Sequence, residues 1–186
     1  MVWVENTKGK IITLLQVFKR YPPLTTRLQR QLAFLERMLV LTRAEKRKAV
    51  VITTYFAQRE LKYPIAEQRL IRDPAKFHLL PYYKEWLSGF IEAEGCFSVR
   101  ANKTTPSFSV GQKFDSDLLR SIRGYLKTAA NVNQRKSERN FYYFETYNRA
   151  ALLKIIRHCQ QYPLLGEKAE QFTTFASFIL RVSKVT

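Results

Sequence analysis

Apolar residues recur at helical spacing along the first part of the chain: Ile11, Ile12, Leu14, Leu15 and Phe18, then, past Pro22-Pro23, Leu28, Leu32, Leu35, Met38 and Leu39. Two helices are predicted there, and a third from about Arg43 to Gln58. The cluster Arg43, Lys46, Arg47 and Lys48 reads either as a solvated helix face or as a phosphate contact, and the sequence leaves both open. Prolines then interrupt the pattern at Arg72-Asp73-Pro74 and Leu80-Pro81, which places a domain boundary near residue 80. No internal repeat and no Gly/Ser-rich linker is visible.

The second part alternates between two periods. Pro81 opens a helical pattern from Tyr82 to Ala93, Pro being suited to a first helical turn. From Cys96 to Asn102 the period becomes two, with Phe97, Val99 and Ala101 on one face and Ser98, Arg100 and Asn102 on the other. Phe108 and Val110 continue it after Pro106, so residues 96–113 read as a hairpin. Asp115 is placed to cap a helix carrying Leu118, Leu119, Ile122 and Leu126 inward. Two more strands are predicted near 130–136 and 140–147; Phe141-Tyr142-Tyr143-Phe144 is aromatic on both parities, so its facing stays open. Asn148 can cap a helix bearing Leu152, Leu153, Ile155 and Ile156, and a last helix from about Glu167 carries Phe172, Phe175, Phe178 and Ile179. The fold class is therefore α+β, with a basic helical N-terminal extension over 1–80 and an αββαββα domain over 81–186.

Composition narrows the partner. The 186 residues suit one domain of ordinary size with an appended segment, and 46% hydrophobic residues exclude disorder for most of the chain. Lys and Arg total 32 against 15 acids, a formal charge of +17 that favours a polyanion. Residues 1–80 carry 16 basic and 6 acidic side chains, and 81–186 carry 16 and 9. No apolar run reaches the ~20 residues of a spanning helix, and no secretory signal opens the sequence, so nucleic acid is preferred over a membrane. Two cysteines, Cys96 and Cys159, form no metal-ligand cluster and suggest a reducing compartment. His78 and His158 lack ligand spacing and read as surface or packed histidines.

The candidate chemistry lies in Leu87-Ser88-Gly89-Phe90-Ile91-Glu92-Ala93-Glu94-Gly95, at the junction of a helix and a strand. Two acids there oppose the helix dipole, at a cost of ~0.3–1 kcal/mol each where exposed, which suggests a use other than packing. Glu94, just before a basic strand face, could hold a divalent cation against a phosphate.

These nine residues resemble the motif of the LAGLIDADG homing endonucleases, in the single-motif class. Leu87, Gly89, Ile91, Ala93 and Gly95 are identical to it; Ser88 replaces Ala, Phe90 replaces Leu, and Glu92 and Glu94 replace its two Asp. The resemblance extends over 82–186, with Gln112 near the end of the second strand and Tyr162-Pro163-Leu164-Leu165-Gly166-Glu167-Lys168 ending in a lysine. Residues 1–80, with Lys19-Arg20-Tyr21-Pro22-Pro23-Leu24-Thr25, look like the leader of some organellar intron-encoded members.

The resemblance implies a four-stranded antiparallel saddle and a site-specific double-strand DNA endonuclease acting as a homodimer on a long pseudo-palindromic site, in a mitochondrion or chloroplast. It implies Glu94, Gln112 and Lys168 as catalytic residues, and Mg²⁺ (or Mn²⁺) held by Glu94 and the Gly95 carbonyl. The motif helices would pair through Leu87, Ser88, Gly89, Ile91, Glu92 and Ala93, where Gly89 and Ala93 permit close approach. Glu92 reads as more structural than catalytic. A strand face with Ser98, Arg100, Asn102, Lys103, Ser107, Ser109, Asn133 and Arg135 would contact DNA, Arg and Asn reading base edges and other basic groups meeting phosphates. Two other readings stay open: an RNA-binding intron maturase of the same fold, and a DNA-binding regulator that does not cleave.

Overall fold

The computed structural model describes residues 7–44, 47–58, 74–99 and 105–182. The chain divides into two compact units, Met1–Ile71 and Arg72–Thr186. The division precedes residue 80 because the 3₁₀ helix Pro74–Leu79 goes with the second unit: it packs on two of that unit's helices and buries Phe77.

The first unit contains α1 (Lys8–Arg20), α2 (Thr26–Ala44) and α3 (Lys48–Gln58). The third helix begins at Lys48, later than the pattern predicts, because α2 runs on to Ala44 and takes Arg43 into its own last turn. Leu15, Leu24, Phe34 and Met38 are buried, and the Phe34 ring lies 5.6 Å from that of Tyr55 on α3. An exposed ion pair, Lys19–Glu36 at 3.2 Å, joins α1 to α2 and contributes at most about 1 kcal/mol.

The second unit runs α4 (Tyr83–Glu94), β1 (Gly95–Val99), β2 (Pro106–Lys113), α5 (Ser116–Leu126), β3 (Asn133–Gln134), β4 (Phe141–Thr146), α6 (Arg149–Gln161) and α7 (Lys168–Val182). This is the predicted α+β order. The strands form one antiparallel sheet in the order β1-β2-β4-β3. Register places Gly95 opposite Val110, Phe97 opposite Phe108, and Val110 opposite Phe144. Since paired residues share a face, this is the face that meets the helices. Phe97 meets Phe108, Phe172 and Phe175 at ring separations of 5.4, 5.5 and 5.1 Å, fastening α7 to the sheet. Leu87 and Ile91 of α4, Leu119 and Ile122 of α5 and Ile155 of α6 complete a core with no solvent exposure. Each such side chain contributes ~1.5–3 kcal/mol on burial.

The predicted strand at 130–136 shrinks to Asn133–Gln134. Asn148 caps α6 as expected, its side chain accepting from Ala151 N–H at 3.0 Å, whereas Asp115 takes the N-cap position of α5 without a side-chain cap bond. Lys127, at φ 56°, closes α5 in the left-handed region.

Candidate active site and sheet face

The motif occupies α4 from Leu87 onward and passes directly into β1. With 3.6 residues per turn, Tyr83, Leu87 and Ile91 share one face, and all three are fully buried in the chain's own core. Leu87 and Ile91 therefore cannot meet a partner helix, which corrects that part of the expected interface. Ser88 is withdrawn as well, being buried against α6. Gly89, Ala93 and Glu94 are exposed, and a Cβ built on Gly89 would have nothing within 4 Å.

Glu92 has a structural use that the sequence suggested without specifying. Its Oε2 accepts from Leu165 N–H at 3.1 Å and its Oε1 from Lys168 N–H at 3.4 Å, so one carboxylate holds both ends of the turn leading into α7. Gly166 is needed there: a Cβ would sit 2.6 Å from Glu92 Oε1. This clamp carries Lys168 to the end of the motif helix, where its Nζ donates to the Gly95 carbonyl at 2.5 Å. Gly95 is equally constrained, since a Cβ would lie 2.7 Å from the Ile91 carbonyl oxygen. Gln112 lies two residues beyond Val110, the partner of Gly95, so the register brings it beside the junction of α4 and β1. Its Oε1 accepts from Lys113 N–H at 2.9 Å. Glu94, Gly95, Gln112 and Lys168 thus gather at one end of the unit.

Behind α4 lies a buried polar chain. Ser88 Oγ donates to the Tyr162 carbonyl at 2.7 Å, so it must accept from His158 Nε2–H at 3.1 Å. That leaves His158 Nδ1 to accept from the Tyr125 hydroxyl, also at 3.1 Å. Every polar atom is satisfied by the neutral imidazole. Burial pulls His158 down to about 4, with the Lys84 charge adding to the effect and Glu85 opposing it. Burial, with Glu92 second, pushes Cys159 up to about 12, so this thiol is inert.

The other sheet face carries Cys96 and Ser98 on β1, Ser109, Gly111 and Lys113 on β2, Phe141, Tyr143 and Glu145 on β4, and Asn133 on β3. Ser98 and Ser109 are partly accessible and Asn133 is exposed. Ser107 shares their face, but as a short side chain on an inner strand it is 2% exposed, which removes it as a base contact. Arg135 stacks on Phe141 at 4.1 Å and, with Lys113, pairs with Glu138. Arg100, Asn102 and Lys103 lie outside the described residues. The sequence left Tyr143 and Glu145 unassigned to this face, because only strand register resolves the parity of the Phe141–Phe144 run, whereas Lys113 follows the parity of Ser107 and Ser109.

The family profile described as LAGLIDADG endonuclease matches residues 87–179, from the first motif residue into α7. The probable intron-encoded endonuclease aI3 of Dictyostelium citrinum is 34% identical over 178 residues, covering 96% of this chain and 68% of that protein. The chain belongs to the LAGLIDADG endonuclease family. A second aI3 relative, from Debaryomyces hansenii, is 34% identical over 198 residues, covering 94% of this chain and 28% of its own length. Among solved structures, meganuclease I-SmaMI bound to uncleavable DNA has a TM-score of 0.70 at 17% identity, over 97% of this chain and 66% of that one. The LAGLIDADG meganuclease I-AabMI bound to uncleaved DNA scores 0.65 at 22% identity, over 96% and 68%. At these identities the likeness speaks for the LAGLIDADG fold. Among the described residues, no helix is long and apolar enough to cross a membrane.

Proposed function

We propose that this protein is a site-specific, metal-dependent double-strand DNA endonuclease encoded by an organellar intron. The observation that carries the reading is the clamp from Glu92 to Lys168, which brings a cation to the carbonyl following Glu94. Such an arrangement suits phosphodiester hydrolysis: an exposed acid, Glu94, at the helix end, and beside the next residue's carbonyl an ammonium that can stabilise charge on the phosphate.

Among the described residues, no three His, Cys, Asp or Glu side chains gather as a metal site. One chain would offer a divalent ion the Glu94 carboxylate and, once Lys168 Nζ leaves it for the phosphate, the Gly95 carbonyl. Both are hard oxygen donors, suited to Mg²⁺ or Mn²⁺, but too few for an octahedral shell. A second Glu94, phosphate oxygens and water would complete it, which motivates a homodimer with motif helices packed through Gly89 and Ala93. When bound, the ion supplies a polarised water and neutralises the leaving oxygen. Glu94 binds and orients; Lys168 holds the phosphate; Gln112 orders the attacking water. The sheet face lies against the duplex, with Ser98, Ser109, Asn133 and Tyr143 toward base edges. Arg135 and Lys113 can exchange their weak exposed pairing with Glu138 for phosphates.

Glu94→Gln tests the reading. Cleavage of a target selected from partly randomised duplexes in Mg²⁺ is expected to fall at least about 100-fold, the scale of removing a group that stabilises the transition state, while DNA affinity persists. Equal loss of binding and cleavage would overturn the assignment of Glu94 to catalysis.

A further inference from the structure

The outer side of the helical layer carries its own concentration of positive charge. On α6, Leu152, Ile155, Ile156 and Cys159 are buried, so Lys154, Arg157 and Gln161, spaced three and four apart, share the opposite side. On α5 the buried Leu118, Leu119, Ile122 and Leu126 leave Asp117, Arg120 and Gly124 facing outward, with Lys127 exposed just past the helix end. Between these outer faces lies a groove of about 780 Å³, walled by α5, Lys127, Lys154, the Tyr125 ring and His78. A hollow of about 410 Å³ shares Tyr125, Lys127 and Lys154 with it and extends it along α6 to Arg157. The groove opens away from the sheet, because α5 packs its buried face on β2 and β4.

The charge in this groove is unbalanced. Asp117, the carboxylate in its lining, is taken by Arg120 at 2.6 Å. Lys127, Lys154 and Arg157 make no ion pair among the described residues. Burial first, and then the charges of Lys127 and Arg157, lower the pKa of Lys154 from its ordinary value, and its ammonium lies over the Tyr125 ring at 4.6 Å. Like charges crowded in this way repel one another, and an anion among them removes the cost. A groove of this volume suits a nucleotide better than a bare phosphate. Cations beside an aromatic ring are the pairing that holds unpaired nucleotides, phosphates on the cations and base on the ring, whereas a duplex keeps its bases stacked inside. We propose that the α5–α6 groove is a second nucleic-acid site, for a single-stranded polynucleotide, with Lys127, Lys154 and Arg157 on its phosphates and a base over Tyr125. The base takes the place of the Lys154 ammonium over the ring and frees it for a phosphate. The groove shares no residue with the sheet face or the α4–β1 junction, so the endonuclease reading stands or falls without it.

Fluorescence anisotropy tests this on the full chain, with labelled strands of about 12 nucleotides: oligo(U), oligo(dT) and an abasic deoxyribose strand, each with and without saturating duplex DNA in Ca²⁺. The double variant Lys154→Gln, Arg157→Gln is expected to bind the strands about tenfold more weakly and to lower the slope of log K against log salt by about 1.4, at about 0.7 per phosphate contact. Its duplex binding should match wild type, which also shows that it folds. Lys8→Gln with Arg181→Gln, a charge-matched pair at exposed positions elsewhere, should leave the strand slope unchanged. Wild type should bind the abasic strand about tenfold more weakly than oligo(dT), the base having been removed from the ring. Tighter binding of oligo(U) or of oligo(dT) names the source as RNA or DNA, and either supports the site. Displacement of the strands by duplex, an unchanged slope in the double variant, an equal loss in the charge-matched pair, or equal binding of the abasic strand overturns the assignment. A double variant that loses duplex and strand together overturns it too, since the groove is then not a separate site. Should no duplex bind at all, the sheet-face reading fails while the strand measurements still judge the groove.

Discussion

The α6–α7 and α1–α2 hairpins are both helix pairs with a Tyr-Pro turn, at Tyr162-Pro163 and Tyr21-Pro22, and differ in how tightly the inward face is packed. On α6, Leu152, Ile155 and Cys159 are at most 2% exposed; on α1, Leu15 is buried but Ile11, Leu14 and Phe18 are only half-buried. The second unit presses its hairpin on a sheet and two further helices, whereas α2 meets α3, a single short helix with exposed Ile52, Tyr55 and Phe56. The same apolar spacing is thus worth less where there is less to bury it against, because stabilisation follows the area removed from water and not the pattern itself.

The largest expected effect follows from that difference. Ile155→Ala should destabilise the second unit by about 2–5 kcal/mol, the range for emptying a closed core site. Leu14→Ala, at a half-buried position of α1, should cost the first unit less than about half as much. Urea unfolding followed separately in the two units would check this, and equal losses would break the comparison.

A smaller effect separates the two units by pH. The first unit has no histidine and His78 is exposed, so His158 is the buried imidazole of the second unit. The folded state keeps His158 neutral down to about pH 4, while the unfolded chain protonates it near 6.5. Its contribution is present above 6.5 and is lost as pH falls toward 4. Thermal melts from about pH 7 to about pH 4 should lower the second unit's transition, and His158→Leu should flatten that dependence.

The smallest effect on stability is Gly89→Leu. Open space at Gly89 and the better helix propensity of Leu predict unchanged stability or a gain of up to about 1 kcal/mol, read as an equal or slightly raised melting temperature. The proposed homodimer, however, should dissociate in sedimentation, and a mutant that stays dimeric would overturn the seam proposed through Gly89.

Much of this was legible in the sequence. The motif, the αββαββα order and the inward faces of α5, α6 and α7 follow from periodicity and from nine residues. What escaped it depends on distant partners. Leu87 and Ile91 look like interface residues in the motif, but they point into the core that the sheet provides. Ser107 alternates correctly, yet neighbouring strands cover it. Glu92 shows its purpose only when Leu165 and Lys168 return beside it, more than seventy residues later along the chain.

Cys96 sits on the outward sheet face, exposed, opposite Ser109, while the chain's other cysteine, Cys159, is buried. Nature has therefore left a single chemical handle on the surface proposed to meet the duplex. A maleimide fluorophore attached there would report docking from the protein side without any engineered residue, and a bulkier adduct would act as a removable wedge between sheet and groove.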